Sequence, residues 1–299
     1  MTPAHGAENA RYAVSVIIPH YNQPGDLKLC LESLARQNFP KEKTEIIVAD
    51  NRSADEIALR KALAILPYAK LVFAHEKGAA CSRNAAIAVS NGAALAFIDA
   101  DCVADEAWLA NGLKALEGAD LVGGDVRVTV NRPEAPTPVE LFERVFAFRQ
   151  RMYIQRKHFS VTANLFARRA AAEAIGPFKN GVSEDVDWCL RARALGFRLA
   201  FNDTSIISHP ARRTWEDLTR KWDRMIRERW NGFGGPWPVR AAQWAMLAAA
   251  IALSAAPHLA AILFSDRVRG WRQKVAAAGV LARIRIWRAG RMLSMLTAP

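Results

Sequence analysis

The feature that most limits the folds open to this chain is a plan repeated through residues 13–101. A short β-branched apolar run stops at polar or acidic residues, and a stretch with helical spacing follows. The first run, 13-AVSVIIPHYN-22, reads as a buried strand leading into a loop. Asp26 to Gln37 carries Leu27, Cys30, Leu31 and Leu34 at a helix period, and 45-EIIVAD-50 is again a short apolar strand ending in a carboxylate. The same reading predicts a helix over 55–66, a strand over 70–75, a helix over 81–90 and a strand over 94–101. Strands alternating with helices at this spacing predict an α/β fold with a parallel sheet and helices on both faces. Ligands of such sheets bind beyond the carboxyl ends of the strands. Polar residues collect at three of those ends: Pro19 to Asn22, Asp50 to Ser53, and Asp99 to Asp101.

The third of these ends, 97-FIDADC-102, places two carboxylates on either side of Ala100. On extended backbone Asp99 and Asp101 project to the same side, close enough to share one cation. A solvated strand end would explain the pair taken alone; its place beside two other polar strand ends favours a site. Mg²⁺ and Mn²⁺ suit oxygen ligands, whereas zinc calls for clusters of Cys or His. Cys30, Cys81, Cys102 and Cys189 lie far apart without a CxxC pair, so neither a zinc ribbon nor a disulfide framework is expected, and reduced thiols fit a cytoplasmic setting. The opening, MTPAHGAENARYAVS, has charges and a proline where the apolar core of a signal peptide would have to be, so no signal peptide is expected.

Four stretches in order carry a resemblance: 15-SVIIPHYNQ-23, 47-IVADNRSAD-55, 76-EKGAACSRNAAIAVSNGAALAFIDADC-102 and 183-SEDVDWCLRARALGFRLAF-201. Together they resemble "SVIIPxYN", "VDDGSxD", "NxGxxxARNxGxxxAxGxxxxFLDaDD" and "sEDvDlclRlrxxGyrl", the motifs of family 2 glycosyltransferases. These are inverting enzymes of the GT-A fold, with a Rossmann-like, mainly parallel sheet flanked by helices, that use nucleotide sugars. The likeness runs over roughly residues 13–210. It departs at Ala49, where the family has a first acid before Asp50, at Arg52 in place of a glycine, and at Cys102 in place of an acid.

The resemblance implies roles residue by residue. Asp101 binds a Mg²⁺ or Mn²⁺ ion directly, while Asp99 contacts the ribose and a metal-bound water. His209, in 205-SIISHP-210, is a candidate third ligand, since neutral imidazole binds metals. Asp50 accepts a hydrogen bond from the uracil N3–H, which favours UDP loosely, and Pro19, Tyr21 and Asn22 belong to the base pocket, where an aromatic face stacks on the nucleobase. A core position is the other reading of Tyr21. Arg83 either meets the diphosphate or pairs with a sheet carboxylate, with the diphosphate favoured. Asp185 is the expected general base for the acceptor hydroxyl, with Glu184 the second choice and Asp187 the better helix-capping acid. Asn164 matches a position near the acceptor and donor sugar. His20, His75, His158 and His258 are read as structural.

The remainder is a tail of different character. Residues 211–299 hold 16 Lys and Arg against 5 Asp and Glu, whereas residues 1–210 hold 25 against 24, so the net charge of +12 is concentrated in the tail. The tail also contains 241-AAQWAMLAAAIALSAAPHLAAILFS-265, free of Asp, Glu, Lys and Arg and long enough to span a bilayer. Basic flanks on an apolar stretch fit an anionic membrane surface rather than nucleic acid. Within 215-WEDLTRKWDRMIRERW-230, Trp215, Leu218, Trp222, Met225, Ile226 and Trp230 follow a helix period that faces either a core or a membrane interface, and 275-VAAAGVLARIRIWRAGRML-293 is a second basic amphipathic candidate. The expected organisation is an N-terminal extension over 1–12, a GT-A domain over 13–236, and a helical, membrane-associating tail over 237–299. The expected function is inverting transfer of one sugar from a nucleotide-sugar donor, a UDP-sugar favoured, to a hydroxyl of a lipid-linked saccharide in exopolysaccharide, O-antigen or cell-envelope glycan synthesis at the cytoplasmic face of the inner membrane; the alternatives are a soluble or protein acceptor, or a non-catalytic membrane-binding module that keeps the fold.

Overall fold

A computed structural model describes residues 10–297, so the extension expected over 1–12 lies, up to residue 9, outside the described residues. The chain forms two compact units: residues up to Arg127 with Phe148–His209, and Val128–Ala147 with Pro210 onward. The division expected between 236 and 237 falls inside the second unit, which also takes in residues 128–147 and 210–236.

The first unit begins with β1 (Tyr12–His20), α1 (Pro24–Ala35), β2 (Thr44–Asp50), α2 (Glu56–Leu63), β3 (Lys70–Phe73), α3 (Ala79–Ala88) and β4 (Gly92–Ile98). β1 pairs in parallel with β2 and β4, with Ile17 beside Ile47 and Phe97, and β2 pairs in parallel with β3. Side chains alternate across these strands as a period of two requires. Val14, Val16 and Ile18 pack with Leu27 and Leu31 of α1, while Ile17, Ile47 and Phe97 pack on the opposite face with Ala80 and Ala86 of α3. Proline in the first turn of α1 and the Asp55 side chain accepting from the Ala58 N–H start the first two helices where the chain leaves a strand end.

Past β4 the order is β5 (Val103–Ala104), α4 (Trp108–Leu116), β6 (Leu121–Thr129), α5 (Pro138–Phe146, in the second unit), α6 (Gln150–Lys157), β7 (Asn164–Arg168), α7 (Arg169–Ile175), α8 (Glu184–Ala194) and β8 (Leu199–Pro210). The sheet runs β3-β2-β1-β4-β7-β6-β8-β5. β7 is antiparallel to β4, β6 to β7, and β5 to β8, so the expected parallel sheet holds for its first four strands and the complete sheet is mixed.

Asn164 closes the antiparallel half. It is fully buried; its Oδ1 accepts from Trp108 Nε1 at 2.9 Å, and its Nδ2 donates to the carbonyls of Asp125 at 2.8 Å and Ser205 at 3.0 Å. This is a correction: the residue expected near the acceptor or donor sugar is a strut of the sheet, because its amide is taken up by two strand carbonyls and by the Trp108 indole of α4. Gly124 makes room for that strut. A Cβ there would lie 2.3 Å from both Asn164 Nδ2 and the Ser205 carbonyl oxygen, neither of which can yield without losing their bond. Gly124→Ala is expected to destabilise the fold by about 1–3 kcal/mol, the usual cost of overpacking, seen as a lowered denaturant midpoint at unchanged slope.

In the second unit, α5 begins with a capping box between Thr137 and Glu140. Buried Glu143 then accepts from the Arg212 N–H at 2.8 Å and from Lys221 Nζ at 3.0 Å. The remaining helices are α9 (Trp215–Asn231), α10 (Trp237–Leu253), α11 (Ala255–Leu263) and α12 (Gly270–Thr297). Of the two readings of 215–230 the core-facing one holds within this unit: Leu218 packs with α5 and α12, and Ile226 with Trp244 of α10 and Met292 of α12. Trp244 Nε1 donates to the Met292 carbonyl at 2.9 Å. Residues Trp237–Leu263 are long and apolar enough to cross a membrane, and Trp237, Val239, Met246, Leu253 and Leu263 are exposed.

Candidate active site

The carboxyl ends of β1, β2 and β4 lie side by side because the strands are parallel neighbours, and the loops beyond them hold the expected residues. His20, at the end of β1, is buried and turns Nδ1 to Asp50 Oδ1 at 2.8 Å. Asp50, at the end of β2, also accepts from the Ser53 hydroxyl at 2.6 Å and from the Ser53 N–H at 2.8 Å. Burial alone would raise the Asp50 pKa; the Ser53 and His20 bonds outweigh it and hold the carboxyl below its ordinary value. With 1% of its surface exposed and both oxygens in use, Asp50 braces the loop between the two strand ends. Asn22 joins the brace, donating its N–H to the Ser53 hydroxyl and accepting from the Ala54 N–H, both at 2.8 Å. Pro19 is half-buried and Tyr21 is exposed, so the tyrosine offers an open ring and is not part of the core.

β4 ends at Ile98, and the backbone turns there, with the Cys102 N–H donating to the Asp99 carbonyl at 3.0 Å. The expectation that Asp99 and Asp101 point the same way rests on extended backbone, and the turn removes that premise. Asp99 instead pairs with Arg83 Nη2 at 2.7 Å, and Asp101 Oδ2 lies 3.3 Å from His209 Nε2. Arg83 is 3% exposed on α3, and its Nη1 reaches Glu184 Oε1 at 3.0 Å. Of its two readings, the carboxylate partner is the one present: one guanidinium joins the end of β4 to the first turn of α8. Burial opposes the charge on Arg83, but Asp99 and Glu184 more than offset it and raise its pKa.

Glu184 is thus engaged, while Asp185 accepts one bond at Oδ1, from the Val186 N–H at 2.8 Å, and its other oxygen has no protein donor among the described residues. Burial, then the charge of Glu184, pushes the Asp185 pKa up to about 6, with Arg83 acting in the opposite direction. A partly exposed carboxylate with that affinity for a proton is suited to general base work near neutral pH. Asp187 pairs with Arg191 at 2.8 Å and Lys179 at 3.3 Å and so stabilises α8.

The donor chemistry around Asp101 fits a divalent cation. Two atoms bound cis to one ion at about 2.1 Å stand roughly 3 Å apart, close to the 3.3 Å between Asp101 Oδ2 and His209 Nε2. The Cys102 thiol is also near these two groups, but burial and the neighbouring aspartates raise its pKa well above the ordinary thiol value, which disfavours the thiolate. One carboxylate and one imidazole leave positions for diphosphate oxygens and water, as Mg²⁺ and Mn²⁺ accept. The sequence reading missed Phe148, whose ring packs on His209 with centroids 4.5 Å apart. It lies in the three-residue link Ala147–Arg149 between α5 and α6, close to Phe146, and no local pattern marks it.

The model of the family described as "Glycosyl transferase family 2" matches residues 15–176. Glycosyltransferase AglE of Haloferax volcanii is 36% identical over 216 residues, 70% of this chain and 70% of its own. UDP-Glc:alpha-D-GlcNAc-diphosphoundecaprenol beta-1,3-glucosyltransferase WfgD of Escherichia coli is 30% identical over 108 residues, 34% of this chain and 39% of its own. Among solved structures, the mannosyltransferase PcManGT from Pyrobaculum calidifontis, in complex with GDP-Man and Mn²⁺, matches with a TM-score of 0.60 at 19% identity, covering 97% of this chain and 87% of that one.

Proposed function

The chain belongs to glycosyl transferase family 2, and from that premise we propose that it is an inverting, cation-dependent transferase that moves one sugar from a UDP-sugar to a hydroxyl of a lipid-linked saccharide in cell-envelope glycan synthesis. The observation that carries this reading is Asp185: an unengaged carboxylate oxygen with a pKa of about 6, beside a glutamate already held by Arg83. Asp185 takes the proton of the acceptor hydroxyl as that oxygen attacks the anomeric carbon on the face opposite the leaving diphosphate, which inverts the centre. Asp101 and His209 hold Mg²⁺ or Mn²⁺, which when bound offsets the negative charge that develops on the diphosphate. Arg83 keeps Asp99 and Glu184 in place and so fixes the distance between the donor side and the base. Tyr21 and Pro19 receive the nucleobase.

The lipid-linked acceptor is supported by the exposed apolar face of Trp237–Leu263 and its basic flanks, and by the diphosphoundecaprenol acceptor in the name of the Escherichia coli relative. They support a site of action at the cytoplasmic face of the inner membrane, with attachment through the tail. The test is incubation of the full chain in detergent with Mn²⁺, a panel of UDP-sugars and GDP-mannose, and polyprenyl-diphosphate-linked GlcNAc. Nucleotide release and the anomeric coupling of the product are the readouts. Transfer from a UDP-sugar with inverted configuration is the expected result. A retained configuration would remove Asp185 as base, and transfer to soluble saccharides alone would remove the lipid-linked acceptor.

A further inference from the structure

Three arginines of the second unit gather along the seam of α9 and α12, and the described residues supply none of them with an ion pair. Arg288 of α12 lies over the Trp222 ring of α9, with its guanidinium carbon 3.6 Å from the ring centroid. Both its Nε and Trp222 Nε1 are buried without a hydrogen-bond partner. Arg285 stands one turn before Arg288 on α12, and Arg229 stands two turns after Trp222 on α9. Neighbouring cations on these helices are matched: Arg291 and Arg227 reach Asp223 at 2.5 and 2.8 Å, and Lys221 reaches Glu143 at 3.0 Å. Burial, then the charges of Arg285 and Arg229, pushes the Arg288 pKa down to about 9. Arg229 is exposed and Arg285 and Arg288 are half-buried, so the fold holds guanidinium charge within reach of solvent beside two buried N–H donors without partners.

Such a group is unfavourable as it stands, since buried donors and charges need partners. A phosphate supplies what is missing, because its oxygens match the forked donors of arginine and its charge cancels theirs. We propose that Arg229, Arg285 and Arg288, with Trp222 Nε1, form a site for the phosphate or diphosphate head group of the lipid-linked acceptor. The inference rests on the lipid-linked reading of the acceptor given above and adds where its charged end is held. The same unit exposes Trp237, Val239, Leu253, Leu263 and Phe264, apolar surface of the kind that lies in a lipid interface.

The test floats the full chain with phosphatidylcholine vesicles doped with phosphatidic acid, and with vesicles matched in surface charge by phosphatidylserine. Calorimetric titration of inorganic pyrophosphate runs alongside. Arg229→Gln with Arg285→Gln removes two charges and leaves the Arg288–Trp222 stack in place; Arg269→Gln with Arg272→Gln removes two exposed charges of the same unit and serves as control. Wild type is expected to prefer phosphatidic acid vesicles by about tenfold or more, and the first double variant to lose that preference, as expected for charge-assisted hydrogen bonds. The control is expected to keep it. Equal loss in the control, or none in the first variant, overturns the site. Pyrophosphate binding without a preference for phosphatidic acid overturns the lipid head group and assigns a free phosphate. UDP and Mn²⁺ binding, measured on the same preparations, separates the two readings: its absence in wild type counts against the donor site, whereas loss of the vesicle preference alone counts against this one.

Discussion

Asp185→Asn is expected to lower kcat by about 10²–10⁴-fold, the range of a general base, while leaving UDP affinity in Mn²⁺ unchanged. The substitution keeps the shape of the side chain and the bond from the Val186 N–H but removes the capacity to take a proton. Wild-type kcat/KM should rise with pH through about 6 and level off above it, because only the ionised carboxylate acts as base. The variant's residual activity should be flat across that range. Stability has the opposite sign. With the Asp185 pKa raised from 3.8 to about 6, the native state binds this proton more tightly than the unfolded state, so this group's contribution to stability falls as pH rises through that window. At neutral pH the fold carries an unfavourable charge that asparagine lacks, and the variant should melt no lower than wild type. Lost turnover with retained stability distinguishes a base from a structural acid. A variant with wild-type turnover would transfer the role to Glu184, whose engagement with Arg83 argues against it.

The sequence disclosed most where local pattern and tertiary outcome agree. β1, β2 and β4 are legible because each is an apolar run buried on both faces, and a strand with helices on both sides needs little else; β3, at the sheet edge, is legible from its short apolar run alone. β6 and β7 are less so: Gly123 and Gly124 interrupt the apolar run of 121-LVGGD-125, and only the structure shows that the Asn164 amide fills the space Gly124 leaves. Residue types of the site were legible, and their pairings were not. The Arg83 bridge joins positions 16 and 101 residues away, and no periodicity encodes it. The Asp99–Ala100–Asp101 turn defeated the period-two argument because a strand end is where that period stops applying. Composition marked the tail as basic and apolar, yet did not show that α5, far earlier in the chain, packs with α9 and α12.

Asp101→Ala should weaken Mn²⁺-dependent UDP binding by more than about hundredfold, exceeding the 10–100-fold typical of groups that only support a ligand. Calorimetry with Mn²⁺ and with EDTA gives the comparison: the variant should bind UDP as weakly with the cation as wild type does without it. The geometry makes this more than the loss of one charge. Asp101 and His209 stand 3.3 Å apart, so each is half of the protein's contribution, and His209→Ala in the Asp101→Ala background should cost little further. Asp99→Asn is the informative contrast. Asp99 faces Arg83 at 2.7 Å, so its loss releases one arm of the bridge whose other arm holds Glu184. It should therefore leave the cation dependence of UDP binding in place and instead reduce turnover, by loosening the first turn of α8 on which Asp185 sits. Equal effects of Asp99→Asn and Asp101→Ala on cation-dependent binding would mean that the two carboxylates act on one ion after all, with Arg83 displaced from Asp99 when donor and cation enter together.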